Sequence, residues 1–175
     1  MSIIFERLEG NDLPLPSYAT SMAAGIDLAA CLTRPCTLIK ADQKKLFYNR
    51  DTGGRYDVVP NVIDKPKLNI APGETILVPI GYKCQFQPDM VMLLCIRSSL
   101  SMKGLMLTNG VGVIDADYRG ELMACLFNRG GTSISIVHGD RIVQAVMTKL
   151  STLSISEGSL TTTERGEGGF GSTGA

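Results

Sequence analysis

Apolar residues along the chain gather in short runs between turn residues, and few recur at the three-to-four spacing of a helix. The runs are ETILVPIGYKCQF (74–86), MVMLLCI (90–96), ELMACLF (121–127), SISIV (133–137) and RIVQAVMTKL (141–150). Pro72-Gly73, Gly130-Gly131 and Gly139-Asp140 punctuate them. Several short strands at this spacing predict an all-β barrel or jelly roll rather than βαβ units. One short helix is expected over 98–103, where Ser98-Ser99 precedes Leu-Ser-Met-Lys. Two stretches leave the pattern. Residues 40–68 are polar with a Gly-Gly turn, which reads as a surface excursion or hairpin, not a second domain. From 154 onward the chain is rich in Ser, Thr and Gly and should be mobile on its own. The expected organisation is one β domain over 1–153, carrying the 40–68 insertion, and a C-terminal arm over 154–175.

A length of 175 residues suits one domain with one sizeable core. Lys+Arg and Asp+Glu balance at 17 each, so no global field would hold a nucleic-acid polymer or an anionic membrane. A small anionic ligand held by a few local groups remains open. The five cysteines form no Cys-x-x-Cys pair and the single histidine is His138, which argues against a zinc site. Cys84, Cys95 and Cys125 lie in apolar runs and read as small buried hydrophobes, a usage that suits a reducing compartment. Charges at residues 6, 7 and 9 argue against a signal peptide, and no segment approaches the ~20 apolar residues of a membrane span. The expected location is the cytosol, or the nucleus.

The glycine-rich tail literally matches the dinucleotide fingerprint G-x-G-x-x-G at 166–171. That fingerprint needs a strand before it and a helix after it, and the six residues lie four from the last one given. No Lys follows for a Walker A loop. The tail reads either as plain disorder or as a nucleotide lid, since Arg165, Phe170, Ser172 and Thr173 supply charge, a stacking ring and hydroxyls. In GVIDADYRGE (112–121), an extended backbone would put Asp115 and Asp117 on one face; the bland alternative is a polar turn. Arg97-Ser98-Ser99 after an apolar strand reads as a phosphate cradle or a simple helix cap.

Order changes the weight of these segments. AGIDL (24–28), RSSLSMKG (97–104), GVIDADYRGE (112–121), GDRIVQ (139–144) and RGEGGFGSTG (165–174) resemble the five motifs of the trimeric dUTPase family, in the family's order. The resemblance implies a distorted β jelly roll with one short helix and a flexible C-terminal arm, assembled as a homotrimer with shared active sites. It implies hydrolysis of dUTP to dUMP and pyrophosphate, with Mg2+ on the triphosphate, limiting uracil in DNA and supplying dUMP for dTMP synthesis. Asp115 would be the general base for a water attacking the α-phosphorus. Asp27 would orient magnesium-bound water as an outer-shell group. Arg97, Ser98, Ser99 and Gln144 would contact phosphates, and Arg165, Gly171, Ser172 and Thr173 would close over them from another subunit's arm. Asn109 and the backbone of a tight hairpin at Gly110, Val113 and Ile114 would pair with the uracil edge. Cytosine would leave buried polar groups unpaired there, and thymine would overpack. Tyr118 would lie against the deoxyribose and exclude a 2′-hydroxyl, and Phe170 would stack on the base.

A dCTP deaminase of the same superfamily is the nearest rival, and Tyr118 with the glycine-rich arm favours the dUTPase. A nucleotide-switched regulatory protein with the same fold is a second alternative. A carbohydrate-binding jelly roll has little support, as the chain has no Trp for sugar stacking. Two features depart from the family pattern: Ile96 stands where Pro commonly precedes Arg-Ser-Ser, and the 40–68 excursion replaces a much shorter path. The excursion is expected to serve trimer packing or an additional protein partner.

Overall fold

The computed structural model describes residues 2–39 and 66–169, and the backbone of 45–47. The strands are β1 (Ile4–Arg7), β2 (Ser17–Tyr18), β3 (Gly25–Ala29), β4 (Thr37–Ile39), β5 (Lys45–Phe47), β6 (Lys67–Ile70), β7 (Thr75–Pro79) and β8 (Tyr82–Gln85). After β9 (Met90–Ile96) comes one helical turn, α1 (Ser98–Ser101), then β10 (Leu105–Leu107) and β11 (Gly112–Ile114). The chain continues through β12 (Met123–Asn128), β13 (Ile134–Val137) and β14 (Arg141–Lys149). The expected all-β class, with one short helix, is what the molecule adopts.

Two five-stranded antiparallel sheets form the body, in the orders β10-β12-β7-β4-β5 and β11-β9-β14-β3-β2. Two-stranded pairs β1-β8 and β13-β6 complete it. Period-two alternation sets which side of each strand faces inward, as in β12, where Ala124, Leu126 and Asn128 are buried and their neighbours half-buried. Ile26, Leu28, Met92, Leu94, Val143 and Ala145 of one sheet join Ile76, Val78, Leu105, Leu107 and Leu126 of the other in a single core. That shared core packs the two sheets face to face.

The apolar run 74–86 is two strands, not one. Gly81 turns the chain between β7 and β8 with φ 78°, and a Cβ there would stand 2.7 Å from the Asn11 side chain and 2.8 Å from Cys31 Sγ. Glycine is the residue that fits both the angle and the space.

The start of the 40–68 excursion is described in part. β5 folds back on β4 as a hairpin, Thr37 opposite Phe47 and Ile39 opposite Lys45, and adds an edge strand to the sheet. Its end is a correction: Lys67 and Leu68 belong to β6, which pairs with β13, and Leu68 is a core residue. Residues 40–44 and 48–65 of the excursion lie outside the described residues. His138 secures its return, donating its backbone N–H to Pro66 O (2.7 Å). The His138 ring accepts the Leu32 N–H at Nδ1 (3.0 Å) and meets Asp12 Oδ1 through Nε2 (2.7 Å). Buried polar groups need such partners, and among the described residues no buried side-chain nitrogen or oxygen lacks one.

All five cysteines are free. Cys84 is buried as expected, but Cys95 and Cys125 are half-buried, while Cys31 is fully buried. Cys31 lies in a loop rather than an apolar run, so hydrophobic patterning does not reveal it. Among the described residues no helix is long and apolar enough to cross a membrane.

Candidate active site

Three neighbouring strands bring the first group of polar residues together. In β14, Gln144 lies opposite Asp27 of β3 on one side and Cys95 of β9 on the other. Asp27 is the junction: Oδ1 is 3.2 Å from Arg97 Nε and Oδ2 is 2.8 Å from Arg141 Nη1. Arg97 is carried by the end of β9, where its N–H bonds to Ile142 O before α1 begins. Ser98 and Ser99 follow as exposed residues in the first turn of α1, and Arg97 makes no side-chain cap. Gly25 leaves room for Gln144, as a Cβ there would stand 3.1 Å from Gln144 Oε1. The cluster therefore presents two guanidiniums, an amide and hydroxyls around one carboxylate, a donor-rich setting for phosphate oxygens. Arg141 was not foreseen. Its charge is visible in GDRIVQ, but its pairing with Asp27 depends on a strand register that sequence does not print.

Asp27 is also the residue expected near magnesium. Among the described residues no three His, Cys, Asp or Glu side chains gather into a metal site. The donor set instead suits an ion carried in on a polyphosphate, which keeps several waters and needs only an outer carboxylate. Asp27, with its side chain 12% exposed, can serve that role while it holds the two arginines.

The second group lies on β11 and the turn after it. The expected tight hairpin at 109–114 is not one. β10 pairs with β12 and β11 with β9, so Asn109-Gly110 carries the chain from one sheet to the other. Gly110 makes that crossing with φ 70°, its N–H bonded to Leu107 O at 3.0 Å. Among the described residues β11 is the last strand of its sheet with no ladder partner on its outer side, and an edge strand offers backbone donors and acceptors to a ligand. Gly112 packs against Leu94, where a Cβ would come within 3.0 Å, so β11 lies close on β9. Val113 faces solvent at 61% exposure, and Ile114 packs against the core.

Asp115 and Asp117 do not share a strand face. The chain turns at 115–118, closed by Tyr118 N–H to Asp115 O at 3.2 Å, and both aspartates are exposed. Four further residues hold this turn. Arg119 Nη1 donates to Ala116 O (2.7 Å) and Tyr118 O (3.0 Å). Tyr118 donates its hydroxyl to Glu121 O (3.0 Å). Glu121 takes the Arg34 guanidinium in a two-point grip, Nε at 2.8 Å and Nη2 at 3.0 Å, and accepts the Gly81 N–H at 3.0 Å. The hydrogen bond to Glu121 raises the Arg34 pKa above its ordinary value. Arg34, Arg119, Gly120 and Glu121 were not among the expected site residues; only the acid that ends GVIDADYRGE hinted at an anchor.

The two groups are apart within one chain. Ile114 lies opposite Met92, near the start of β9, whereas Arg97 follows its other end. At ~3.3 Å per strand residue, Asp115 and Arg97 are separated by about 20 Å along the strand. The arm stands off as well. Among the described residues its last backbone bond to the body is Leu150 N–H to Asp89 O (2.8 Å), and residues 151–167 are exposed. Arg165 donates Nε to Gly168 O (2.8 Å) within the arm's own turn. Phe170, Gly171, Ser172 and Thr173 lie outside the described residues.

A family model described as dUTPase matches residues 61–174. The chain is 35% identical over 174 residues to the deoxyuridine 5′-triphosphate nucleotidohydrolase of Hahella chejuensis, covering 98% of this chain and 93% of the relative. It is 38% identical to the protein of the same name from Tolumonas auensis, covering 98% and 94%. Among solved structures, a dUTPase from Streptococcus mutans matches with TM-score 0.60 and 27% identity over 86% of this chain and 98% of that one. A Staphylococcus bacteriophage 80alpha dUTPase mutant with dUpNHpp matches in fold, with TM-score 0.72 and 20% identity over 99% of both chains.

Proposed function

The chain belongs to the dUTPase family, and from that membership we propose that it hydrolyses dUTP to dUMP and pyrophosphate as a homotrimer with shared sites. The observation that carries the reading is the edge strand β11 running directly into the Asp115 turn. Open backbone groups at Gly110–Ile114, with Asn109, can pair with a uracil edge as another base does. Asp115 then follows at once, exposed and on a braced turn, where its carboxylate takes the proton of a water attacking the α-phosphorus.

The Asp27 cluster receives the triphosphate in this reading. Arg97, Ser98, Ser99, Gln144 and Arg141 supply donors and charge, and Asp27 would serve as an outer-shell carboxylate for a magnesium ion carried on the triphosphate. The ion neutralises charge on the phosphates when bound; orientation is the task of the protein groups. The separation of Asp115 from Arg97 within one chain supports a site built from two protomers. The exposed arm supports a third contribution, with Arg165 and the residues around Phe170 to Thr173 closing over a neighbour's ligand. Such a product would limit uracil in DNA and supply dUMP for dTMP synthesis, in the cytosol or nucleus that the free thiols suit.

The deciding experiment offers dUTP, dCTP, dTTP and UTP with magnesium and measures pyrophosphate and ammonia. Pyrophosphate from dUTP alone is the expected result. Ammonia from dCTP would replace the reading with a deaminase, and no turnover with retained binding would favour a nucleotide-switched regulator.

A further inference from the structure

Tyr118 is held by an arrangement that gives its neighbour a task. The ring lies across the bare Cα of Gly120: a Cβ at position 120 would stand 2.3 Å from Tyr118 Oη, 2.4 Å from Cζ and 2.8 Å from Cε2. These separations are far below van der Waals contact, so any side chain at 120 must move something. Gly120 does not adopt a left-handed φ, so its lack of a side chain is not a backbone requirement. Space for the ring is what requires glycine here.

The floor beneath the ring is fixed. Glu121 is gripped by Arg34 at two points and by the Gly81 N–H. Leu122 is fully buried and bonded by its N–H to Tyr82 O at 2.8 Å. The ring itself is 43% exposed and held chiefly by its hydroxyl on Glu121 O. A methyl group at 120 would therefore displace the ring rather than the chain.

We propose that Gly120 is a specificity-determining residue that acts through Tyr118, its missing side chain seating the aromatic wall that excludes a ribose 2′-hydroxyl. The inference rests on the dUTP-hydrolysing reading above and on the role the family resemblance implies for Tyr118, that it borders the sugar. A displaced ring harms discrimination in either direction: moved outward it admits the hydroxyl of UTP, and moved inward it obstructs dUTP. Gly120 touches no reacting atom. It is a positioning residue.

The test is a double-mutant cycle of Gly120→Ala and Tyr118→Ala, measuring kcat and KM for dUTP and UTP together with Tm. Gly120→Ala should lower the dUTP-to-UTP ratio of kcat/KM by roughly tenfold or more, with Tm close to wild type. Added to Tyr118→Ala, it should lower the ratio no further. A ratio within about twofold of wild type overturns the proposal, as does an equal loss without the tyrosine. A fall in Tm that persists in the Tyr118→Ala background also overturns it, because the methyl would then collide with the chain. A wild-type protein that releases no pyrophosphate from dUTP fails the functional reading instead.

Discussion

Asp27 holds two arginines on separate oxygens, Arg97 just past the end of β9 and Arg141 on β14, so one carboxylate fixes both guanidiniums of the phosphate-facing cluster. Asp115 is the opposite kind of acid. It is exposed, its backbone carbonyl closes a turn, and the restraint on its position comes through Arg119, Tyr118 and Glu121. That division of labour gives a sharp expectation. Asp115→Asn keeps size and turn geometry but cannot accept a proton, so kcat should fall roughly 10²–10⁴-fold while binding of a non-hydrolysable dUTP analogue persists. Unchanged kcat would remove Asp115 from the base role. His138 is a purely structural residue by comparison. Replacing it with leucine removes the acceptor of the half-buried Leu32 N–H, which should cost about 1 kcal/mol in urea unfolding with kcat intact.

Elements were legible in proportion to their length. β9 coincides with the run MVMLLCI, and β14 with all but the last residue of RIVQAVMTKL, because seven to nine residues carry a periodic signal. The strands of three or four residues at β1, β4 and β10 are set by their partners, and nothing in the local pattern announces them. Within the candidate site the same rule holds. The motif residues could be named from order alone, but the Asp27–Arg141 pair needed register, and the crossing at Asn109-Gly110 needed the sheet assignment. The extended reading of 112–117 failed because the strand stops at Ile114 and a turn of polar residues follows. The arm is an element defined by lacking partners: Leu153, Ile155 and Leu160 are at least 80% exposed beyond its last bond to the body. Truncation after Thr163 removes Arg165 and the residues around Phe170. It should leave assembly intact and lower kcat/KM for dUTP on the order of 10³-fold, by analogy with an arginine finger. Unchanged kinetics would end the lid hypothesis.

Two predictions belong to the whole molecule, one on its alkaline limit and one on the assembly proposed for it. Burial pushes the Cys36 thiol up to about 12 and the Cys84 thiol to about 11, against an ordinary 9.0. The fold thus favours the protonated thiols. Their contribution is fully present below pH 9 and is lost as pH rises toward 11–12, where the unfolded chain has already released those protons. The urea midpoint, followed at one protein concentration, should fall over that window, and fall less in a Cys36→Ala/Cys84→Ala protein. An equal fall in both would assign the alkaline limit to other groups. Assembly admits a more direct test. If one protomer supplies Asp115 and another the arm, then Asp115→Asn trimers and arm-truncated trimers are each defective for a different reason. Unfolded together and refolded as a mixture, they form sites that take Asp115 from a truncated chain and the arm from an Asp115→Asn chain. Random assortment makes roughly a quarter of the sites whole on both counts, and dUTP turnover should rise well above the sum of the unmixed parents. A site contained in one chain cannot be repaired this way, since every chain in the mixture lacks one of the two parts. Mixed trimers demonstrated by mass, with turnover no higher than the parents', would therefore refute the shared site.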